Sequence, residues 1–381
     1  MIAIQPYVVG ALVRHFGFRR TALSAALMDV PEDAGYAAQV ASWYESLPAR
    51  ERLGMGELRL LAAPDLLADI RVLRGDRSLV RFLLIAAARP GGAQCLLAGP
   101  KEDGRLEIQP LAGLDVLSDT LLGWLAATGE PAEPHCRIRL GWAELALLLG
   151  WIDLETRACW SAALSHQPYP EAYPVEDIAS ALAGAERHED PRWILNFLRP
   201  LLPAGCAPRE AQTVFEALRS LDALGLAQPQ GSAWKWTRVG EFLATSFRRR
   251  TAVIAVDTAA AAPGGDIGRH AACFLRGDEP LWLLDLPPEG EPALAGISLF
   301  GARRALDALL TPAATAPDWS PAASQDAAAS GAAGRPPGAE PARPDAGVSA
   351  GEAPRAACPA CGRKLPARAK FCGYCGVPLP V

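Results

Sequence analysis

Two Cys-x-x-Cys-Gly turns near the C-terminus, Cys358-Pro-Ala-Cys361-Gly362 and Cys372-Gly-Tyr-Cys375-Gly376, constrain this chain more than any other feature. Ten residues separate the pairs. Four thiolates at this spacing satisfy one Zn2+ tetrahedrally and leave no position for substrate, which marks a structural ion. Gly362 and Gly376 supply the positive-φ freedom that lets backbone N–H groups close on the sulfurs. The segment 358–381 has too little apolar side chain to fold unaided, so zinc would supply its folding free energy. Cys358, Cys361, Cys372 and Cys375 are the expected ligands.

Ahead of this module, residues 311–357 consist of Ala, Pro, Gly and Ser with one aromatic and almost no β-branched residue. Such a stretch buries too little apolar surface to offset its ordering entropy and reads as a disordered linker. As a coil of about 47 residues it would span roughly 35–40 Å.

The body, residues 1–310, reads as α+β with two related halves. Gly56-Glu57-Leu58 recurs as Gly240-Glu241-Phe242, and Leu111-Ala112-Gly113-Leu114 as Leu294-Ala295-Gly296-Ile297. Between these anchors, short apolar runs separated by turn residues predict antiparallel strands. They fall at 66–73, 80–88, 93–98 and 106–109 in the first half and at 251–256, 270–275 and 281–284 in the second. Apolar residues recurring every three to four positions predict helices over 142–165, 175–186, 191–202 and 208–224. Pro191 and Pro208 are expected in first turns, and Gly225 as a C-cap. The helix ending at Leu224, the strand Trp234-x-Trp236 and Thr237-x-x-Gly240 together resemble a winged helix. The helix that would face a DNA groove carries Arg209, Glu210, Glu216, Arg219 and Asp222, a net charge of −1, which favours a structural or protein-docking role over DNA reading. The expected domains are 1–130 for the first half, 131–310 for the winged-helix-like region and second half, 311–357 for the linker and 358–381 for the zinc module.

Composition narrows the function classes. A net charge of −5 spread over 381 residues argues against wholesale wrapping by nucleic acid. The tail is locally basic, however: Arg363, Lys364, Arg368 and Lys370 follow the last acid, Glu352. These residues would serve a nucleic acid or an acidic protein surface, and they would equally serve to neutralise the zinc thiolates. No apolar run is long enough to span a bilayer, and no secretory signal is visible. Cys95, Cys136, Cys159, Cys206 and Cys273 are scattered in apolar surroundings, as buried free thiols of a reducing cytoplasm would be. Four lysines against 33 arginines, with heavy Ala, Gly and Pro usage, fit a bacterium with a GC-rich genome.

Catalytic signatures are missing. The chain has no P-loop, nucleophile elbow or HExxH, and no two histidines at ligand spacing. Gly264-Gly265-Asp266-Ile267-Gly268 lies between predicted strands and reads as a hairpin turn. Glu186, His188, Glu189 and Asp190 read as a solvated helix end, and Arg248-Arg249-Arg250 as the solvated start of a strand.

Two resemblances accompany these residues. Cys358, Cys361, Cys372 and Cys375 make residues 358–377 similar to the short zinc-ribbon family found at the ends of many bacterial proteins. The duplicated sheet-then-helix unit, with Leu61-Ala62-Ala63-Pro64-Asp65 and Leu111-Ala112-Gly113-Leu114, resembles the EspG family of type VII (ESX) secretion-associated proteins. That resemblance implies a cytosolic, non-enzymatic, chaperone-like protein holding an apolar helical tip of a secreted partner. The family does not normally carry a zinc ribbon. The sequence thus leads to a protein-binding adaptor with a tethered structural zinc ribbon. The alternative is a winged-helix and zinc-ribbon regulator of nucleic acid.

Overall fold

The structure, a computed structural model, describes residues 2–311 apart from 26–27, 29–32, 76–77, 90–91, 127–135, 186, 188–189 and 262–265. The expected linker from residue 312 onward and the zinc ribbon lie outside the described residues, as does the expected boundary near residue 130.

The first half begins with strand β1 (Ile2–Ile4) and helices α1 (Pro6–His15), α2 (Ala22–Ala25), α3 (Ala34–Ser46) and α4 (Met55–Ala62). Strands β2 (Leu66–Arg74), β3 (Leu79–Arg89), β4 (Gly92–Pro100) and β5 (Leu106–Leu111) follow, then helix α5 (Leu114–Leu125). The same order then returns in expanded form. It runs through β6 (Arg137–Arg139), α6 (Trp142–Ser165), β7 (Tyr173–Pro174), α7 (Val175–Ala185), α8 (Ile194–Leu198) and α9 (Ala211–Ala223). Next come β8 (Ala227–Gln230), β9 (Ala233–Trp236), α10 (Arg238–Arg248), β10 (Ala252–Ala261), β11 (Ile267–Arg276), β12 (Leu281–Leu286), β13 (Ala293–Gly296) and α11 (Leu299–Leu310).

The halves join edge to edge in one antiparallel sheet of order β1-β5-β4-β3-β2-β10-β11-β12-β13-β6. A shift of 188 residues carries the pair Leu66↔Ala86 onto Ile254↔Phe274, and Leu83↔Ala98 onto Ala271↔Leu286. The same shift carries Asp69 onto Asp257, and these two residues are direct cross-strand partners. The internal two-fold axis therefore passes between them. The Leu-Ala-Gly anchors are spaced five residues closer than this shift, because Leu111 ends β5 whereas Leu294 lies inside β13.

Alternation along the strands sorts the core. On one face Ile70, Val72, Ile254, Val256 and Phe274 pack beneath α5 and α11. On the other face Leu67, Ile85, Leu96 and Ile108 meet α1 and α4, burying Leu12, Leu58 and Leu61. There too Val253, Leu275, Trp282 and Leu284 meet the expanded helical region, with Trp151, Leu218 and Phe247. Each such side chain contributes about 1.5–3 kcal/mol of burial free energy.

Within that region β7-β9-β8 form a second sheet. With α7 and α9 it makes the expected winged-helix arrangement. Gly225, at φ +71°, ends α9, and Thr237 caps α10 by accepting from Gly240 N at 3.1 Å. Several expectations need correction. Pro191 and Pro208 precede their helices, since α8 starts at Ile194 and Glu210 is the N-cap of α9. Cys159 is exposed, because the last turns of α6 run beyond the packed region, and Cys136 and Cys206 are half-buried. Arg248 is no solvated strand residue; it belongs to α10 and reaches the buried Glu155 at 3.0 Å.

Candidate functional site

The expected zinc ligands Cys358, Cys361, Cys372 and Cys375, and the basic residues Arg363, Lys364, Arg368 and Lys370, lie outside the described residues. So do Glu186, His188 and Glu189, while Asp190 binds Arg192 at 2.6 Å. Among the described residues no group of three or more His, Cys, Asp or Glu could hold a metal ion. No described helix is long and apolar enough to cross a membrane.

The outer face of α9 exposes Gln212, Thr213, Phe215, Glu216 and Arg219. Gln212 donates to Glu216 at 2.8 Å, and Phe215 meets Trp234 of β9 edge-on at 6.0 Å. This is a mixed polar and aromatic face without the basic stripe a DNA-reading helix needs. Beneath it, Glu155 accepts from Trp236 Nε1 at 2.9 Å and from the Tyr169 hydroxyl. Burial raises the Glu155 pKa, while Tyr169 and Arg248 pull against it. This network fastens α6 to β9 and α10, and its buried donors and acceptors are spent on one another.

A concave surface forms elsewhere, at the sheet's outer edge. Strand β1 pairs with β5 on one side, in the register Ile2↔Ile108 and Ile4↔Leu106, and a groove of about 420 Å³ lies beside it. Gln5 is the N-cap of α1 and Pro6 its first residue, where a missing N–H costs nothing. The chain therefore turns at once and places Tyr7 beside the edge. Helix α3 contributes Trp43 and its C-cap Leu47, fixed through Tyr44, whose hydroxyl accepts from Leu53 N. Tyr7 is 51% exposed and Trp43 53%, and both rings line the groove. The charged rim holds Arg50 and Glu51, 3.6 Å apart, and Arg105, paired with Asp103 at 2.6 Å. The groove's remaining lining is largely apolar, with Ile2, Ile4, Val8 and Leu47 beside the two rings.

The sheet's symmetry axis carries a second polar feature. Asp69 binds Arg71 at 2.6 Å and Arg81 at 3.0 Å. Burial alone would raise its pKa, but the two guanidiniums outweigh this and hold it low. The equivalent Asp257 has Ala259 where Asp69 has Arg71. Burial raises the Asp257 pKa and facing Asp69 raises it further, with Arg269 opposing. The pattern was invisible in the sequence, because the four strands it crosses come from two distant hairpins.

No protein-family model matches the chain, and no curated protein matches it. Among solved structures it is similar to EspG5, the type VII secretion system chaperone of Mycobacterium tuberculosis, in complex with a PE25–PPE41 dimer, at 12% identity and a TM-score of 0.38, over 84% of this chain and 97% of that one.

Proposed function

We propose that this protein is a non-catalytic, chaperone-like adaptor that binds another protein through its α+β body. The observation that carries this reading is the groove beside β1, where Tyr7 and Trp43 stand half-exposed. Aromatic anchors of this kind supply most of the free energy of protein interfaces. The four-cysteine tail adds a structural Zn2+ ribbon held by Cys358, Cys361, Cys372 and Cys375, whose donor set suits zinc. The ribbon's basic residues provide a second contact, to an acidic protein surface or to nucleic acid.

The test is purification of the tagged full chain from its native cell at moderate salt, beside Trp43→Ala and Tyr7→Ala variants. The expected result is a stoichiometric protein partner whose affinity falls by about thirtyfold or more in each variant, the loss of one hot-spot residue. Recovery of DNA or RNA without a protein partner overturns the reading. A partner held equally well by both variants overturns the assignment of the groove. Metal analysis of the same material should give one zinc per chain, lost in Cys358→Ser.

A further inference from the structure

The sheet has two outer edges, and its internal symmetry makes them counterparts: β1 lies outside β5 as β6 lies outside β13, and each leads into a helix. Their chemistry differs. A strand edge presents unpaired N–H and C=O groups, which proteins normally protect with charged side chains or proline. Strand β6 reads Arg137-Ile138-Arg139 and is guarded in this way. Strand β1 reads Ile2-Ala3-Ile4 and carries no charge. Beside this short, uncharged edge stand the exposed rings of Tyr7 and Trp43. We propose that β1 accepts an extended segment of a partner protein as an additional strand, one that alternates apolar and polar side chains and carries a carboxylate. This rests on the adaptor reading and specifies how the groove is used.

The alternation follows from β1 itself. Ile4 is buried and Ile2 half-buried in the N-terminal helical layer, whereas Ala3 between them is exposed. A strand laid alongside keeps the same period of two. Its side chains on the Ile2 and Ile4 side descend onto Tyr7, Trp43 and Leu47 and are apolar, while those between them face water. Main-chain hydrogen bonds then give affinity, and the aromatic groove sets register. The carboxylate answers Arg50, whose side chain is 85% exposed and whose 3.6 Å pair with Glu51 is too solvated to hold it firmly. A docked helix would bring no unpaired backbone groups and would leave the β1 edge unused.

The probe is the capped hexapeptide Thr-Val-Glu-Phe-Thr-Val, compared with the same peptide N-methylated at alternate amides and with a lactam-bridged helical peptide of equal composition. The readout is amide hydrogen exchange at Ile2–Ile4 in the full-length chain. The unmodified peptide should slow exchange there by about tenfold or more, and N-methylation should abolish the effect. Exchanging its Glu for Gln should weaken binding several-fold in the native chain and leave binding unchanged in Arg50→Ala. Equal binding of the N-methylated peptide, or protection by the helical peptide instead, overturns the strand mode. If the strand peptide fails while Trp43→Ala still loses the native partner, the strand mode fails and the adaptor reading stands. If Trp43→Ala also keeps the partner, the assignment of the groove falls with it.

Discussion

Asp153 shows how one residue ties stability to pH. It is 1% exposed on α6, and its two oxygens accept from Ile194 N at 3.0 Å and Leu195 N at 2.9 Å, capping α8 across the core. Burial, the largest influence, pushes its pKa up to about 6, against the pull of these N–H groups and of Arg250 and Arg157. The folded chain therefore holds this proton more tightly than the unfolded chain does. The resulting stabilisation is fully present below about pH 4 and is lost as pH rises to about 6, a change on the order of 3 kcal/mol. Glu155 and Asp257, also raised by burial, act in the same direction. Asp153→Asn keeps one acceptor and has no charge to bury. Urea unfolding at pH 4.5 and pH 7 should show a smaller loss for the variant than for the native chain. An unchanged loss would remove Asp153 as its source.

At the scale of elements, the contact between α10 and the wing depends on one missing methyl. A Cβ on Gly240 would collide with the Leu226 carbonyl and stand 3.0 Å from the Trp236 ring. Neither a backbone carbonyl nor a packed indole yields cheaply, so Gly240→Ala should cost at least about 2 kcal/mol despite alanine's better helix propensity. Thr237→Ala removes the α10 cap and should cost about 1 kcal/mol. Chemical denaturation of the two variants checks the ranking, and a reversed order would refute it. The same elements mark what the sequence makes legible. Helix α6 is readable to both ends, Trp142–Ser165, because its apolar residues leave no gap and its starting cap is a glycine. The strands between the duplicated anchors are readable to within a few residues, except that β10 and β11 run on through Ala261 and from Ile267. Those extensions are alanine- and glycine-rich and carry little strand preference of their own. Strand β1 is illegible for the opposite reason: three residues before Pro6 show no period, and only pairing with β5 defines them. The groove is hidden with it, since Tyr7 and Trp43 come to line one surface only through the packing of α1 on α3.

For the body as a whole, the decisive fact is where the duplication closes. Two related halves could have folded as neighbours with their own cores; instead β2 and β10 pair over nine residues through the centre of one sheet. The core beneath α5 and α11 draws Ile70 and Val72 from one half and Ile254, Val256 and Phe274 from the other. Those two helices also pack on each other, and Arg303 of α11 forms an ion pair with Asp119 of α5. Opening either half alone would strip nine backbone pairs from its neighbour and expose the shared core, so neither half has a stable intermediate to occupy. Calorimetry of the body should therefore show one transition with equal calorimetric and van't Hoff enthalpies. Ile70→Ala and Ile254→Ala, on opposite sides of the axis, should each lower that same transition, by about 2–5 kcal/mol. Hydrogen exchange in the Ile70→Ala variant discriminates sharply: β10–β13 should lose protection together with β2–β5. Full protection of β10–β13 in that variant would mean that the second half stands alone and that the shared core does not couple the two.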